Sequence, residues 1–166
     1  MTGGPHVWLA GPHDAEIIAR LLVGFRNHLG YDAPSDNTIL AGVDKVLDEH
    51  HSEFVLGSPD ADSPPAGVVQ LRYRWSVWRG AFDCLIEDVF VLESARGVGL
   101  GRALVEFACE RAVESRGCKR AELDTNETNT AALGLYESLG FSAGRDGFTG
   151  RDLFMKRDLS GGGDQS

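Results

Sequence analysis

Just past its midpoint, the chain reads Arg96-Gly97-Val98-Gly99-Leu100-Gly101. Three glycines in five positions let the backbone turn tightly and bring bare N–H groups close to a ligand. A helix that starts at the end of such a loop adds its unpaired first-turn N–H donors and the positive end of its dipole. The loop therefore predicts a binding site for phosphate or pyrophosphate, although an ordinary glycine-rich turn would have the same composition.

The segments on either side of this loop predict a strand–loop–helix unit. The preceding segment, Phe82–Leu92, contains a nearly continuous apolar run, which indicates a strand buried on both faces. After the loop, apolar residues recur at i, i+3, i+4, i+7 and i+8, which is typical of a helix facing a core: Leu100, Ala103, Leu104, Phe107 and Ala108. Gly117 stands where such a helix commonly ends.

The rest of the chain predicts an α/β fold of the mixed α+β kind. Two amphipathic helices and two further strands precede the segment Phe82–Leu92, and a helix carrying Tyr136 follows the central unit. Outlying strands are predicted at Val7–Leu9, Arg120–Leu123, Phe141-Ser142 and Asp152–Lys156. Short connections between the three middle strands indicate an antiparallel portion followed by a parallel crossover. We therefore expect a central mixed sheet of about six to seven strands, flanked by about four helices.

Composition limits the classes of function that fit. At 166 residues, with 42% hydrophobic and 25% charged residues, the chain has the size of one globular domain, expected over residues 1–159 with a flexible tail over 160–166. A net charge of −9 opposes binding to nucleic acid or to an anionic membrane and mildly favours a cationic substrate, although solubility alone accounts for such a charge.

The cysteines and the N-terminus bear on the compartment. Cys84, Cys109 and Cys118 have neither the spacing of a metal site nor an even number, which favours reduced thiols. No signal peptide is evident, and no apolar run is long enough to cross a bilayer. We expect a cytoplasmic protein with no metal and no membrane partner.

Three local motifs occur together. Glu87-Asp88-Val89-Phe90-Val91 precedes Arg96-x-x-Gly99-x-Gly101, Tyr136 follows Asn129 by seven residues, and the last helix ends in Leu135-Tyr136-Glu137-Ser138-Leu139-Gly140-Phe141. In this order and at these distances the motifs resemble the GNAT N-acetyltransferase family, closest to its diamine-acetyltransferase branch. The resemblance spans roughly Val7 to Arg157. One departure is Ser94, which stands where family members often carry proline.

The resemblance implies a fold and a cofactor. In this family an acetyl group passes from acetyl-CoA directly to an amine. The pyrophosphate would be bound by the loop and the first helical turn, through Arg96, Gly97, Val98, Gly99, Leu100, Gly101 and Arg102. The pantetheine arm would run along a strand edge where two parallel strands splay apart, against the main chain of Val89, Phe90 and Val91. Asn129 would cap its helix and reach the cofactor.

Glu87 is the candidate base. An alkyl amine is mostly protonated at neutral pH, and only its neutral form attacks a thioester, so a base assists the reaction. Period-two alternation places Glu87 on the same face as Val89 and Val91 and Asp88 on the opposite face. The alternative is a carboxylate that binds substrate or pairs with an arginine.

Tyr136 resembles the family's general acid, which gives a proton or a hydrogen bond to the departing thiolate. The alternative is an aromatic side chain of the core. His28 and Tyr31 lie between the first two helices, in a region that often shapes the acceptor pocket in this family, and they are candidate substrate contacts. A simple surface loop is the alternative for both.

These expectations combine into an enzyme that acetylates a primary amine of a small molecule, such as a polyamine, an amino acid or an aminoglycoside. The alternatives are a protein acetyltransferase acting on lysine or an N-terminus, and a CoA-binding sensor without catalysis. A nucleotide-binding protein is disfavoured, because no Gly-Lys-Ser/Thr follows the loop. Dimers are common for this fold, which makes a homodimer a further expectation.

Overall fold

A computed structural model describes residues 3–144 and 147–159 of the chain. The chain divides into two units, Met1–Asn129 and Thr130–Ser166, and each is described by itself. The expected flexible tail, residues 160–166, lies outside the described residues, and the expectation of one domain over residues 1–159 stays a prediction.

One mixed sheet organises the first unit. Its strands are β1 (His6–Leu9), β2 (Ser52–Ser58), β3 (Gly67–Ser76), β4 (Ala81–Val91) and β5 (Arg120–Leu123), in the spatial order β1-β2-β3-β4-β5. The first four strands pair antiparallel, and β4 pairs parallel with β5. The predicted antiparallel portion followed by a parallel crossover is therefore confirmed.

Three helices belong to the first unit: α1 (Ala15–His28), α2 (Asp36–Leu47) and α3 (Leu100–Arg116). The α2 helix is capped by Ser35, whose hydroxyl accepts a hydrogen bond from the N–H of Thr38 at 3.2 Å. The α3 helix ends at Gly117, which adopts the left-handed conformation at φ 61°.

The two faces of the sheet are covered by different helices. Leu56 and Val68 join Ile18 and Leu21 of α1 in a buried cluster, so these strand residues face α1 and α2. Their neighbours Gly57 and Gly67 face α3 instead, in keeping with the alternation of a strand. The first face is called the α1 face below, and the second the α3 face.

Gly57 and Gly67 let α3 approach the sheet closely. A Cβ atom at Gly57 would lie 2.7 Å from Leu100 Cδ1, and one at Gly67 would lie 2.8 Å from Leu104 Cδ1. Both leucines are fully buried in the space that the missing side chains leave. The first turn of α3, which follows the glycine loop, is thereby fixed against β2 and β3.

The expected strand count was wrong. The sheet has five strands, and residues 139–144 and 147–159 contain no strand, although strands were predicted at Phe141-Ser142 and Asp152–Lys156. A strand gains stability by burying one of its faces, yet three consecutive apolar side chains of the second segment are largely exposed: Leu153, Phe154 and Met155. The described part of the second unit contains one helix, α4 (Thr130–Ser138).

Candidate active site

The second half of β4 has one edge that no described strand covers. The β5 strand pairs with β4 only from Asp83 to Ile86, while β4 continues to Val91. The N–H of Leu92 donates to the Ala66 carbonyl on the β3 side, at 2.8 Å. By alternation, the main-chain groups of Val89 and Val91 point away from β3 and those of Phe90 point toward it. The open edge therefore presents Val89 and Val91 to a ligand.

A β-bulge interrupts β4 within this half. Val68 of β3 pairs with Phe90, and Gln70 pairs with Glu87. Asp88 and Val89 together therefore oppose Val69, the single residue between Val68 and Gln70. Asp88 has φ 54°, a left-handed conformation that aspartate tolerates better than most residues do. Bulges commonly lie beside active sites, where they change the direction of a side chain.

The bulge overturns the predicted facing of Glu87. Glu87 pairs with Gln70, and Phe90 pairs with Val68, so Glu87 and Phe90 both lie on the α1 face although they are three residues apart. Val91 pairs with Gly67 and lies on the α3 face. The prediction that Glu87, Val89 and Val91 share a face was wrong, because one inserted residue shifts the alternation.

The glycine loop leads directly into α3. Gly97 and Gly99 have φ values of 80° and 85°, in the region that disfavours other residues, and a Cβ atom at either would meet open space. The first helical bond runs from the N–H of Ala103 to the carbonyl of Gly99, at 3.0 Å. The N–H groups of residues 100–102 thus precede the helical ladder, and no acidic side chain lies in this turn to offset the positive end of the dipole.

Two arginines flank the loop. Arg96 Nε donates to the Val91 carbonyl at 3.0 Å, which connects the loop to the end of β4. Arg102 Nη1 lies 3.9 Å from Glu106 Oε1, with both side chains substantially exposed. Leu100 is buried and Val98 is half-exposed, so only their main-chain groups are suited to a phosphate.

Glu87 pairs with a neighbouring arginine. Arg72 Nε lies 3.4 Å from Glu87 Oε2, and 35% of the Glu87 side chain is exposed. At the next residue, desolvation of the Asp88 carboxyl raises the pKa of Asp88, and the charge of Arg72 opposes that rise. A partly open carboxylate beside the unpaired strand edge is suited to receive a cation from solvent.

Aromatic rings lie beside Glu87 on the α1 face. The Phe25 and Phe90 rings stack at 5.1 Å, and the His28 ring lies 6.1 Å from Phe90. The structure thus brings His28 to β4, whereas the Tyr31 side chain is mostly exposed in the following loop. Phe25 was not predicted to lie near the site, because its helical spacing identifies it only as a core residue.

Gln70 is a second residue that sequence reasoning missed. Its side chain is 6% exposed on the α1 face, between Phe54 of β2 and Glu87 of β4. Among the described residues, the buried Gln70 Nε2 atom has no hydrogen-bond partner. The available signal was one polar residue in an apolar strand, between Val69 and Leu71.

Asn129 and Tyr136 belong to the end of the first unit and to the second unit, respectively. Asn129 directly precedes α4, where a capping residue is expected, and its N–H donates to the Asn126 carbonyl at 2.9 Å. The Tyr136 ring meets Phe141 edge to face at 6.1 Å, and burial raises the pKa of Tyr136. The roles of both residues stay predictions.

No group of three or more His, Cys, Asp or Glu side chains in residues 3–144 and 147–159 is arranged to hold a metal ion. Within the same ranges, no helix combines the length and the apolar character that crossing a membrane requires. Cys84, Cys109 and Cys118 are free thiols, and burial raises the pKa of Cys84 to about 12.

Comparison with known proteins gives a family match. Residues 25–141 match the family model of the acetyltransferase (GNAT) family. Glucosamine 6-phosphate N-acetyltransferase of Trypanosoma brucei brucei is 48% identical over 58 residues, which are 35% of this chain and 37% of that protein. Thialysine N-epsilon-acetyltransferase of Bos taurus is 28% identical over 88 residues, 52% of this chain and 51% of that protein. The matches therefore span about half or less of each of these relatives.

Solved structures match over a greater length. A crystal structure from Arthrobacter sp. FB24 superposes with a TM-score of 0.80 and 27% identity, over 93% of this chain and 96% of that one. A Trypanosoma brucei acetyltransferase superposes with a TM-score of 0.67 and 27% identity, over 93% of this chain and 99% of that one. The predicted fold family is thereby confirmed.

Proposed function

The chain belongs to the acetyltransferase (GNAT) family, and we propose that it transfers an acetyl group from acetyl-CoA to a primary amine of a small molecule. The observation that carries the proposal is one juxtaposition in the first unit. The glycine loop at the start of α3 follows directly on the half of β4 whose outer edge no described strand covers. A phosphate site that follows an open strand edge suits two chemically different parts of CoA, the pyrophosphate and the pantetheine arm.

The loop would bind the pyrophosphate of the cofactor. The protein carries a net charge of −9, so a pyrophosphate site has to be locally positive. The N–H groups of residues 100–102 and the helix dipole supply that local charge without a lysine. Arg96 donates to the Val91 carbonyl and lies beside the loop. Arg102 lies in the first turn of α3. Both arginines add positive charge near the proposed pyrophosphate site.

The open edge of β4 would bind the pantetheine arm. Pantetheine carries two amides, which pair with outward main-chain groups as an added strand does. Val89 presents an N–H and a carbonyl, and Val91 presents its N–H, since the Val91 carbonyl accepts from Arg96. An N–H at this edge also fits the thioester oxygen, whose negative charge grows as the amine attacks. Phe90, which directs its main chain to β3 and its ring into the core, contributes packing to this arrangement.

Glu87 would bind the acceptor ammonium and take its proton, directly or through water. Making the neutral amine at neutral pH costs about 4–5 kcal/mol for an alkyl ammonium, which a nearby carboxylate offsets in part. The nitrogen lone pair then forms a bond to the thioester carbon. The C–S bond would break as the resulting tetrahedral intermediate collapses, with the electron pair leaving on the CoA sulfur. The second proton, which the nitrogen loses as it becomes an amide, would end on that sulfur.

Tyr136 would donate a proton or a hydrogen bond to that sulfur. A thiol has a pKa of about 8.5 and tyrosine one of about 10, and burial raises the pKa of Tyr136 further. Full transfer is therefore uphill, which favours a hydrogen bond. We expect Tyr136→Phe to lower kcat about 100-fold while thermal unfolding stays the same. Wild-type turnover by a folded Tyr136→Phe protein contradicts this role.

Calorimetric titration of the purified chain with CoA and acetyl-CoA tests the cofactor. We expect saturable binding of both, and the absence of saturation with either contradicts the proposal. An assay of free thiol then follows CoA release with polyamines, amino sugars, amino acids and lysine peptides. Turnover of free amines but not of peptides supports a small-molecule acceptor, and the reverse supports the protein acetyltransferase.

The named substrates of two relatives support a small acceptor: glucosamine 6-phosphate in one and thialysine in the other. The three free thiols favour a reducing compartment, and we propose the cytoplasm. The exposed side chains of Trp75, Val77 and Trp78 support a homodimer, which light scattering checks.

A further inference from the structure

A buried donor on the α1 face lacks a partner. Gln70 is 6% exposed, and its Nε2 atom bonds to none of the described residues. Buried polar side-chain atoms nearly always have a hydrogen-bond partner, and leaving one without a partner destabilises the folded state. An amide nitrogen without a partner, on the residue that pairs across the strands with the candidate base, therefore indicates a site for an oxygen of a ligand.

The neighbours of Gln70 define the ligand's charge. Gln70 and Glu87 are cross-strand partners, whose Cβ atoms lie about 5 Å apart in such pairs. Arg72 lies two residues further along β3 on the same face, 3.4 Å from Glu87. Glu87, Asp88 and Arg72 together carry a net charge of about −1 when both carboxyls are ionised. This charge fits one ammonium group and opposes an additional carboxylate on the ligand.

Building on the proposed function, we propose that Gln70 is a specificity residue of the acceptor site, whose Nε2 donates a hydrogen bond to a neutral oxygen of the acceptor. The acceptor is then a primary amine with a hydroxyl, ether or amide oxygen near its nitrogen, such as an amino alcohol or an amino sugar. An unsubstituted alkyl amine and a zwitterionic amino acid fit less well.

The geometry supports this assignment. The ammonium binds Glu87 on one strand while the oxygen binds Gln70 on the next, so the two polar atoms of the acceptor lie within a few bonds of each other. The terminal torsion of glutamine is broad, and its rotation turns Nε2 toward Glu87, whose side chain is 35% exposed. The stacked rings of Phe25 and Phe90 lie on the same face and exclude water from the carbon chain of the acceptor.

The test compares three small amines in the free-thiol assay: ethanolamine, methoxyethylamine and propylamine. The ether oxygen of methoxyethylamine only accepts hydrogen bonds, so this compound isolates the donor role of Gln70. For the wild-type chain we expect kcat/KM about tenfold higher with either oxygen-bearing amine than with propylamine. Because oxygen also lowers the basicity of a nearby amine, the decisive quantity is the change in this ratio in a variant.

Gln70→Leu removes the donor and nearly preserves the volume. We expect it to lower the preference for oxygen-bearing amines over propylamine about tenfold, chiefly by raising KM for the oxygen-bearing amines. Gln70→Glu, which replaces the donor by a carboxylate, should also lose the preference for methoxyethylamine. The matched control is Leu71→Met, a neighbouring buried change on the α3 face, which should leave the ratio as it is.

Thermal unfolding separates a local effect from misfolding. Gln70→Leu removes an unpaired donor, so we expect its midpoint to equal or exceed that of the wild type. Equal ratios in the wild type and Gln70→Leu overturn the inference and leave the proposed function intact. If the wild type releases no CoA with any of the three amines or with the broad panel, both fail.

Discussion

The two halves of β4 have different surroundings. From Ala81 to Ile86, the strand has β3 on one side and β5 on most of the other. Its one acidic residue, Asp83, is fully buried, and Arg79 donates to both carboxylate oxygens. From Glu87 to Val91, β3 is the only described strand that pairs with β4, the strand contains a bulge, and Asp88 has a positive φ.

Within one strand, residues 81–86, called the closed half below, have the properties of a stable scaffold, and residues 87–91, called the open half, have those of a binding site. In the first half, the buried carboxylate is satisfied and the backbone groups are paired, which are properties of a scaffold. In the second half, the same backbone has an edge that no described strand covers, and the Glu87 carboxylate is partly exposed. The Nε2 atom of Gln70 on the adjacent strand has no partner among the described residues. Unsatisfied groups and strain of this kind concentrate where a ligand binds.

Glu87→Gln, in the open half, is expected to have the largest effect, a loss of kcat with little change in stability. We expect kcat to fall about 100- to 10,000-fold, because the neutral amide cannot take a proton. The thermal midpoint should change little, since the side chain is partly exposed. The matched control is Glu122→Gln on β5, beside the closed half, which should retain kcat. Comparable losses of kcat in both variants contradict the assignment of the base.

Asp83→Asn, in the closed half, should lower stability and leave kcat unchanged, which is the reverse of the effect of Glu87→Gln. The hydrogen bonds from Arg79 lower the pKa of Asp83, so this carboxylate stabilises the fold above a pH of about 4, and the contribution is lost as the pH falls through the lowered value. We expect a thermal midpoint several degrees lower at neutral pH and unchanged kcat per folded molecule. In urea unfolding, the difference from the wild type should shrink below pH of about 4. A difference that does not depend on pH contradicts this account.

Gly99→Ala tests the loop beyond the open half. A side chain at φ 85° strains the backbone, so we expect a loss of about 1–2 kcal/mol in the free energy of unfolding and weaker CoA binding by calorimetry. Gly42→Ala is the matched control. Gly42 is exposed within α2, where a Cβ atom meets open space, and alanine there should raise stability by up to about 1 kcal/mol. Equal effects of the two changes would show that the loop does not require its glycine.

Asp88→Asn should have the smallest effect, opposite in sign to that of Asp83→Asn. Partial desolvation of the carboxyl raises the pKa of Asp88, so the wild type loses a little stability as the pH rises through that value, and solvent screening keeps the loss small because the residue is exposed. Asparagine also tolerates a positive φ. We expect the variant to match the wild type below pH of about 4 and to be slightly more stable at neutral pH. Urea unfolding at both pH values measures this, and lower stability at neutral pH contradicts it.

Local patterns predicted much of this architecture. Helical spacing identified α3, two amphipathic helices were expected before the central strand, and short connections identified the antiparallel strands. The strands predicted at Phe141-Ser142 and Asp152–Lys156 were wrong, because an apolar segment becomes a strand only where a sheet edge accepts it.

The prediction for Glu87 shows where alternation fails. Glu87 was chosen for its polarity in an apolar strand, and the structure places it partly exposed in the half of β4 that β5 does not cover, while its role as a base stays a prediction. Its face was predicted wrongly, since the bulge at Asp88 is defined by pairing with β3, more than fifteen residues earlier in the chain. Gln70 was missed for the same reason, because its relation to Glu87 exists only once β3 and β4 pair.

The sequence by itself determined the glycine loop and the helix that follows it, since the glycines that permit a positive φ and the apolar helical pattern are adjacent in the chain. Tertiary structure alone decided which side chains meet at the bulge and which edge of β4 stays open. Strand pairing joins residues far apart in sequence, and a single inserted residue reverses every later side chain without leaving a local mark in the pattern.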